Sequence, residues 1–169
     1  MTMYATVDSP LGELLLVGEG AADVAGGVAL ASLSLPGQKG AAVVRDDWVR
    51  APDVFDGIAA QLREYFSGRL TRFDIAYAAG AGTDFQRRVW AVLDTVPYGE
   101  TVSYGQVAER VGASGAGVRA VGTAIGRNPV LVVRPCHRVI GADGALRGYA
   151  GGPERKERLL RLEGAAAVR

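Results

Sequence analysis

The chain has 169 residues, with 19 Lys and Arg against 18 Asp and Glu, one Cys and one His. That length allows one compact domain or two small ones, and 49% hydrophobic with 22% charged residues describes a folded core rather than a disordered chain. One Cys excludes an intramolecular disulfide framework, and one Cys with one His falls short of the four ligands of a structural zinc. The start, MTMYATVDSPLG, has no basic stretch followed by an apolar run, so no secretion signal is expected. The longest apolar runs, Leu14 to Val17 and Val130 to Val133, are far short of a membrane span, and a soluble protein of a reducing compartment is expected. Residues 1–82 carry six basic and ten acidic side chains, residues 83–169 thirteen and eight, and seventeen of the nineteen basic residues are Arg. The basic second half points to a polyanion, with a chance split of a neutral protein as the competing explanation.

In chain order, Tyr4 to Val7 and Leu14 to Val17 are short apolar runs around the turn-rich Asp8-Ser9-Pro10-Leu11-Gly12, which predicts a hairpin. Val28 to Leu35 is a third candidate strand and Pro36 to Gly40 a loop. Val54, Ile58, Leu62 and Phe66 recur every four residues and predict an amphipathic helix capped by Gly68. Gly80-Ala81-Gly82 reads as a linker, which divides the chain into residues 1–79 and 80–169.

The second half reads as mostly helical. Thr83 and Gln86 fit a capping box, followed by Phe85, Val89, Val92, Leu93 and Val96 on one face until Pro97-Tyr98-Gly99. Ser103 and Gln106 fit another, opening a short helix with Val107 and Val111 inward and Gly112 at its end. A small-residue turn then leads to a helix with Val118, Val121 and Ile125 inward. Two short helices around a tight turn match a helix-turn-helix, although any helical hairpin shares the pattern. The outward face of the second helix sets Arg119 beside Gly122 and Thr123. Such a slim face suits helix packing or entry into a narrow minor groove.

The only Cys and the only His are adjacent, in Arg134-Pro135-Cys136-His137-Arg138-Val139. A lone Cys is commonly a small buried hydrophobe, but a neighbouring base and cations are what a nucleophilic thiolate requires. The apolar run Val130 to Val133 is expected to end at Pro135, leaving Cys136 and His137 on a turn or first helical turn. A last helix is predicted from Pro153 to before Gly164, with Leu159, Leu160 and Leu162 inside and Glu163 on the buried edge. A buried carboxylate needs a donor. Either a nearby Arg or His137 fits, the latter giving a Cys–His–Glu relay. The residues alone leave hydrolysis, thiol transfer and alkyl capture open. A Cys–His hydrolase acting on a small ester or amide leaves the helix-turn-helix unexplained, and a plain transcriptional regulator leaves the Cys–His pair without a role.

The blocks GTDFQ with Val89-Trp90 (82–90), PYGETVSYGQVA (97–108), VRAVGTAIGRNP (118–129), PCHRVIG (135–141), GYAGG (148–152) and LLRLEG (159–164) resemble the O6-alkylguanine-DNA alkyltransferases, also called methylated-DNA–protein-cysteine methyltransferases. The early SPLGELLL (9–16) and LREYFSGRLTRFDI (62–75) are similar to the smaller N-terminal domain of that family. The resemblance implies an α/β N-terminal domain, ribonuclease-H-like, with a small antiparallel sheet plus helix. A mainly helical C-terminal domain with helix-turn-helix, for DNA binding and alkyl acceptance, would follow. By the same resemblance Cys136 is the alkyl acceptor, His137 its water-bridged base, Glu163 the holder of His137, and Asn128 the hinge between recognition helix and active-site turn. Arg119 is the finger replacing the extruded nucleotide, and Tyr104 contacts the flipped guanine and its neighbouring phosphate. Tyr149, Ala150, Val139, Gly148 and Ile125 line the substrate pocket, with the Gly148–Gly152 loop as lid, and Ala120, Gly122, Thr123 and Arg127 join Arg119 on DNA.

The implied reaction is a single, irreversible transfer from O6-methylguanine, and less well O4-methylthymine, in duplex DNA after base flipping. No cofactor and no metal are implied, and the expected protein is a bacterial cytoplasmic or nucleoid monomer without membrane contact. Three departures stand out. Residues for a zinc site of the human type are absent, Arg134 replaces a usual aliphatic residue, and Ala150 replaces the Ser of some members. A non-catalytic, damage-flagging relative is the alternative, but such proteins typically carry Trp where this chain has Cys136.

Overall fold

The computed structural model describes residues 1–168, and contacts divide them into two compact units, Met1–Ala81 and a second beginning at Gly82. In the first, β1 (Thr2–Val7) and β2 (Leu14–Gly20) form the expected antiparallel hairpin, paired from Thr2↔Glu19 to Val7↔Leu14. Ser9 and Gly12 exchange backbone hydrogen bonds of 3.0 and 3.1 Å across the turn. β3 (Val28–Ser34) pairs antiparallel with β2, but β4 (Val49–Arg50) runs parallel to β1. The sheet, ordered β3-β2-β1-β4, is therefore mixed rather than antiparallel. A two-residue edge strand carries too little alternation to be seen in sequence.

Helix α1 (Asp56–Phe66) follows a 3-10 turn at Pro52–Phe55. That turn shifts the helical phase, so Phe55, Ile58, Ala59, Leu62 and Tyr65 are buried while Val54 and Phe66, expected inside, are only half-buried. With Leu14, Leu16, Leu30, Leu33 and Leu35 they form an apolar core. Each large side chain buried there contributes about 1.5–3 kcal/mol of transfer free energy.

The second unit holds α2 (Asp84–Leu93), β5 (Val102–Ser103), α3 (Tyr104–Arg110), α4 (Ala116–Gly126), β6 (Val139–Ile140) and α5 (Pro153–Leu162). Both capping boxes form: Thr83 with Gln86 opens α2, and Ser103 with Gln106 opens α3. Helix α2 stops at Leu93, earlier than the Pro97 boundary expected, and Val96 is buried from the following turn. Trp90, unmarked by the sequence pattern, is buried and donates its indole N–H to the Ala124 carbonyl of α4 at 2.8 Å. On α4 the inner face is Val121, Ala124 and Ile125, whereas Val118, expected inside, is 38% exposed in the first turn of the helix. On α5, Leu159 and Leu160 are buried, Leu162 is only half-buried, and Lys156 is fully buried. The parallel pair β5–β6 matches Val102 with Val139 and Ser103 with Ile140. It sets the start of α3 beside the segment that follows Cys136. Among the described residues no helix is long and apolar enough to cross a membrane.

Candidate active site around Cys136

The site begins where α4 ends. After Gly126 the exposed Arg127 caps the helix, and Asn128, 3% exposed, organises the next six residues. Its Nδ2 donates to the carbonyls of Val130 (3.3 Å) and Arg134 (3.1 Å), while its Oδ1 accepts from the Val130 N–H (3.0 Å). One amide side chain thus supplies bonds that a sheet partner would otherwise provide. The apolar run 130–133 is a turn, with Val132 at φ 70°, in the left-handed region that β-branched residues disfavour. Such a conformation costs about 1–3 kcal/mol, and burial of Val130, Leu131, Val132 and Val133 opposes it. The turn delivers Cys136 to the first position of a one-turn 3-10 helix, Cys136–Arg138.

Cys136 is 5% exposed, and burial pushes its thiol up to about 11, against the Asn128 amide and the positive charges of Lys156 and Arg134. At neutral pH it is a thiol and needs a base to react. His137 is fully buried, and desolvation holds its imidazole below its ordinary range despite the opposing pull of Glu163. Its Nε2 lies 2.8 Å from Glu163 Oε2. A carboxylate only accepts, so the neutral ring carries its proton on Nε2. Nδ1, buried without a hydrogen-bond partner among the described residues, keeps its lone pair and is basic.

Glu163 caps the C-terminus of α5 and is 5% exposed. Arg138 grips it at 2.8 Å (Nε to Oε1) and 3.0 Å (Nη2 to Oε2), and sends Nη1 to the Val96 carbonyl at 2.6 Å. Burial works to raise the Glu163 carboxyl, but the hydrogen bonds and charges of His137 and Arg138 outweigh it and hold the group well below the carboxylate range. Both partners left open by sequence are therefore present at once. The guanidinium neutralises the carboxylate, and the carboxylate orients the imidazole. The signal for Arg138 was its place beside His137, which puts both side chains on one helical turn.

Tyr149 is 9% exposed and meets the His137 ring edge-on, centroids 6.4 Å apart. Its hydroxyl is buried without a partner among the described residues, and desolvation raises its pKa well above the usual 10. Tyr104, first residue of α3, donates its hydroxyl to the Arg147 carbonyl at 2.9 Å. Val139 and Ile125 are buried, and Ala150 is half-buried. Arg134 lies over the Trp90 ring (5.1 Å) with Nε 3.6 Å from Asp94, a contact the sequence left undecided. Lys156 was missed altogether. It falls on the stripe Lys156, Leu159, Leu160, Glu163, the i, i+3, i+4, i+7 pattern of a buried helix face, so its burial was legible.

The remaining residues expected to meet DNA lie elsewhere on α4. Arg119, Ala120 and Thr123 are exposed and, with the cap residue Thr83 and Phe85 and Gln86 of α2, line an open groove of about 470 Å³ whose lining does not include Cys136. Gly122 is half-buried between them. Among the described residues no group of three or more His, Cys, Asp or Glu is placed to hold a metal ion.

The family described as "6-O-methylguanine DNA methyltransferase, DNA binding domain" matches residues 84–165. The methylated-DNA–protein-cysteine methyltransferase of Mycobacterium tuberculosis is 48% identical over 163 residues, 96% of this chain and 93% of that protein. The protein of the same name from Methanosarcina acetivorans is 45% identical over 161 residues, 95% and 97% of the two chains. Among solved structures, Mycobacterium tuberculosis OGT in complex with DNA superposes with a TM-score of 0.84 at 47% identity, over 98% of this chain and 97% of that one.

Proposed function

The chain belongs to the methylated-DNA–protein-cysteine methyltransferase family, and from that membership we propose that it repairs DNA by direct reversal, moving the methyl of O6-methylguanine onto Cys136. The observation that carries this is the buried Cys136–His137–Glu163 cluster, with its one unprotonated ring nitrogen. The thiol proton passes to His137 Nδ1 through one water, and the imidazolium that forms is stabilised by Glu163. The sulfur then attacks the methyl carbon. A C–S bond forms, the methyl–oxygen bond breaks, and its electron pair stays with the guanine, which takes up a proton. The thioether is inert, so each chain acts once, and the reaction as written needs no metal or cofactor.

A base inside a duplex cannot present its O6-methyl group to a buried thiol, so the nucleotide is turned out first, which costs a few kcal/mol. The α3–α4 pair acts as the helix-turn-helix. The slim face Arg119, Ala120, Gly122 and Thr123 enters the minor groove, with Arg119 in the vacated stack and Arg127 on the backbone. Tyr104 turns to the flipped base and its phosphate. Tyr149, Gly148, Val139 and Ile125 enclose the base, and the Ala150 N–H faces its O6. With Ala at 150 only the main-chain donor serves that oxygen, and O4-methylthymine is a poorer substrate. The N-terminal domain, residues 1–79, is ribonuclease-H-like, and the protein works as a monomer in the bacterial cytoplasm.

The test is the intact mass after mixing with a small excess of duplex carrying one O6-methylguanine, followed by peptide mapping. One methyl group on Cys136, never more than one per chain, is expected. Tight binding with no mass gain would replace transfer by damage flagging, and neither binding nor gain would reopen the Cys–His hydrolase.

A further inference from the structure

The alkyl transfer described for Cys136 makes no use of Lys156. Its side chain is fully buried on α5, and among the described residues no carboxylate pairs with it. The ammonium instead donates to the carbonyls of Val139 in β6 and of Arg147 (2.8 Å), and sits 5.9 Å from the centre of the Tyr104 ring. Burying a cation on carbonyls alone is unfavourable, so the position calls for a role.

The Arg147 carbonyl already has another donor, the Tyr104 hydroxyl at 2.9 Å. Two donors fill both lone pairs of one carbonyl oxygen. The next residue, Gly148, has φ 78°, and a Cβ there would collide with the Tyr104 hydroxyl. Tyr104 and the 147–148 backbone are therefore in close contact, and Lys156 is bonded to the same carbonyl.

We propose that Lys156 is a positioning residue that latches the 141–152 loop to β6 and keeps the Arg147 carbonyl bonded while the Tyr104 hydroxyl leaves it for the substrate. The proposal rests on the alkyl-transfer function of Cys136. Without Lys156, freeing Tyr104 strips that carbonyl of its last donor, and the loop carrying Tyr149 loses its tie to β6.

The latch is sensitive to pH. Burial pulls Lys156 down to about 8, with Cys136 opposing. Its neighbours titrate elsewhere. Cys136 is pushed up to about 11 by burial. Burial also raises Tyr104 and Tyr149 above the phenolic range, whereas His137, Asp143 and Glu163 lie on the acid side of theirs. The other charged groups around it are the guanidinium groups of Arg134, Arg138, Arg147 and Arg155. A neutral amine still donates, but bonds without charge assistance are roughly half as strong. A thiol otherwise reacts faster as pH rises toward its own pKa, so a rate that turns down near pH 8 is the mark of the lysine.

Two readouts on the full chain test this. The first is amide hydrogen exchange, where Lys156→Gln should exchange residues 145–151 about tenfold faster than wild type at pH 7. Equal protection would overturn the latch. If the variant does not fold, wild type compared at pH 7 and 9.5, after correction for intrinsic exchange, must show the same selective loss. The second follows benzyl transfer to Cys136 from the free base O6-benzylguanine by mass across pH 6 to 10. The wild-type rate should fall above pH 8, and the slower Lys156→Gln rate should climb without that fall. A wild-type rate climbing through pH 9.5 would overturn the proposal. If no benzyl transfer occurs at any pH, the same rates are read with the O6-methylguanine duplex; absence of methyl transfer there as well would sink the alkyl-transfer function instead, leaving hydrogen exchange to decide the latch.

Discussion

The two units bury different chemistry. Ser34 is the sole buried polar residue of the first, beneath a core of Leu14, Leu16, Leu30, Leu33, Phe55, Leu62 and Tyr65. The second buries Asn128, Arg134, His137, Arg138, Lys156 and Glu163. Buried charge is unfavourable unless paired and hydrogen-bonded, so a small unit that buries five ionisable groups and an amide around one thiol has been shaped by chemistry rather than by stability. The apolar unit is built to persist, and the charged one is built to react once.

That contrast is broken most directly at Glu163. Glu163→Gln leaves Arg138 buried without a counter-ion, and a loss of about 3–5 kcal/mol is expected in a denaturant melt. It also removes the negative charge that supports the protonated His137, so the pH at which Cys136 reacts should rise. An unchanged pH–rate profile would make Glu163 purely structural.

Leu62→Ala is the mirror experiment in the first unit. It should cost about 2–4 kcal/mol while leaving the pH profile of Cys136 reactivity where it was. A shifted profile would show that the division of labour between the units is wrong.

Arg119→Ala sharpens the contrast within the second unit, between its exposed groove and its buried cluster. Methyl transfer from duplex DNA should slow about tenfold or more, roughly 1.4 kcal/mol and upward, with the free-base reaction little changed. Equal loss on both substrates would remove the finger role. The smallest effect is at the cap of α2, where Thr83→Ala should lower stability by about 1 kcal/mol, read by thermal melting.

Acid should act through the charged cluster. Folding holds His137 below its ordinary value, so the unfolded chain binds the extra proton and stability falls as pH drops below about 6.5. Glu163, also held low, contributes stability that is complete above its unfolded value of about 4.5 and is lost as pH falls toward its depressed folded value. A melting temperature flat from pH 7 to 5 would contradict the first, and one flat from pH 5 to 3 the second.

Much of this was visible locally. The capping boxes at Thr83–Gln86 and Ser103–Gln106 were legible because each joins residues three apart, and the β1–β2 hairpin because a short turn brings its strands together. Misreadings came where a neighbour altered the phase. The 3-10 turn at Pro52–Phe55 rotated the buried face of α1 away from Val54, and α4 began early enough to leave Val118 outside.

The sequence by itself determined which residues could do chemistry, for only one Cys and one His exist, and it determined the family through blocks that are each local in the chain. The tertiary structure alone decided the rest, because pairing across the chain has no local signature. It joined Val102 to Val139, turned Val132 to a positive φ, set Arg138 and His137 together on one carboxylate twenty-five residues and more away, and closed Lys156 over two carbonyls. Composition supplied the charges, and burial, a property of the folded chain, decided which of them would hold a proton.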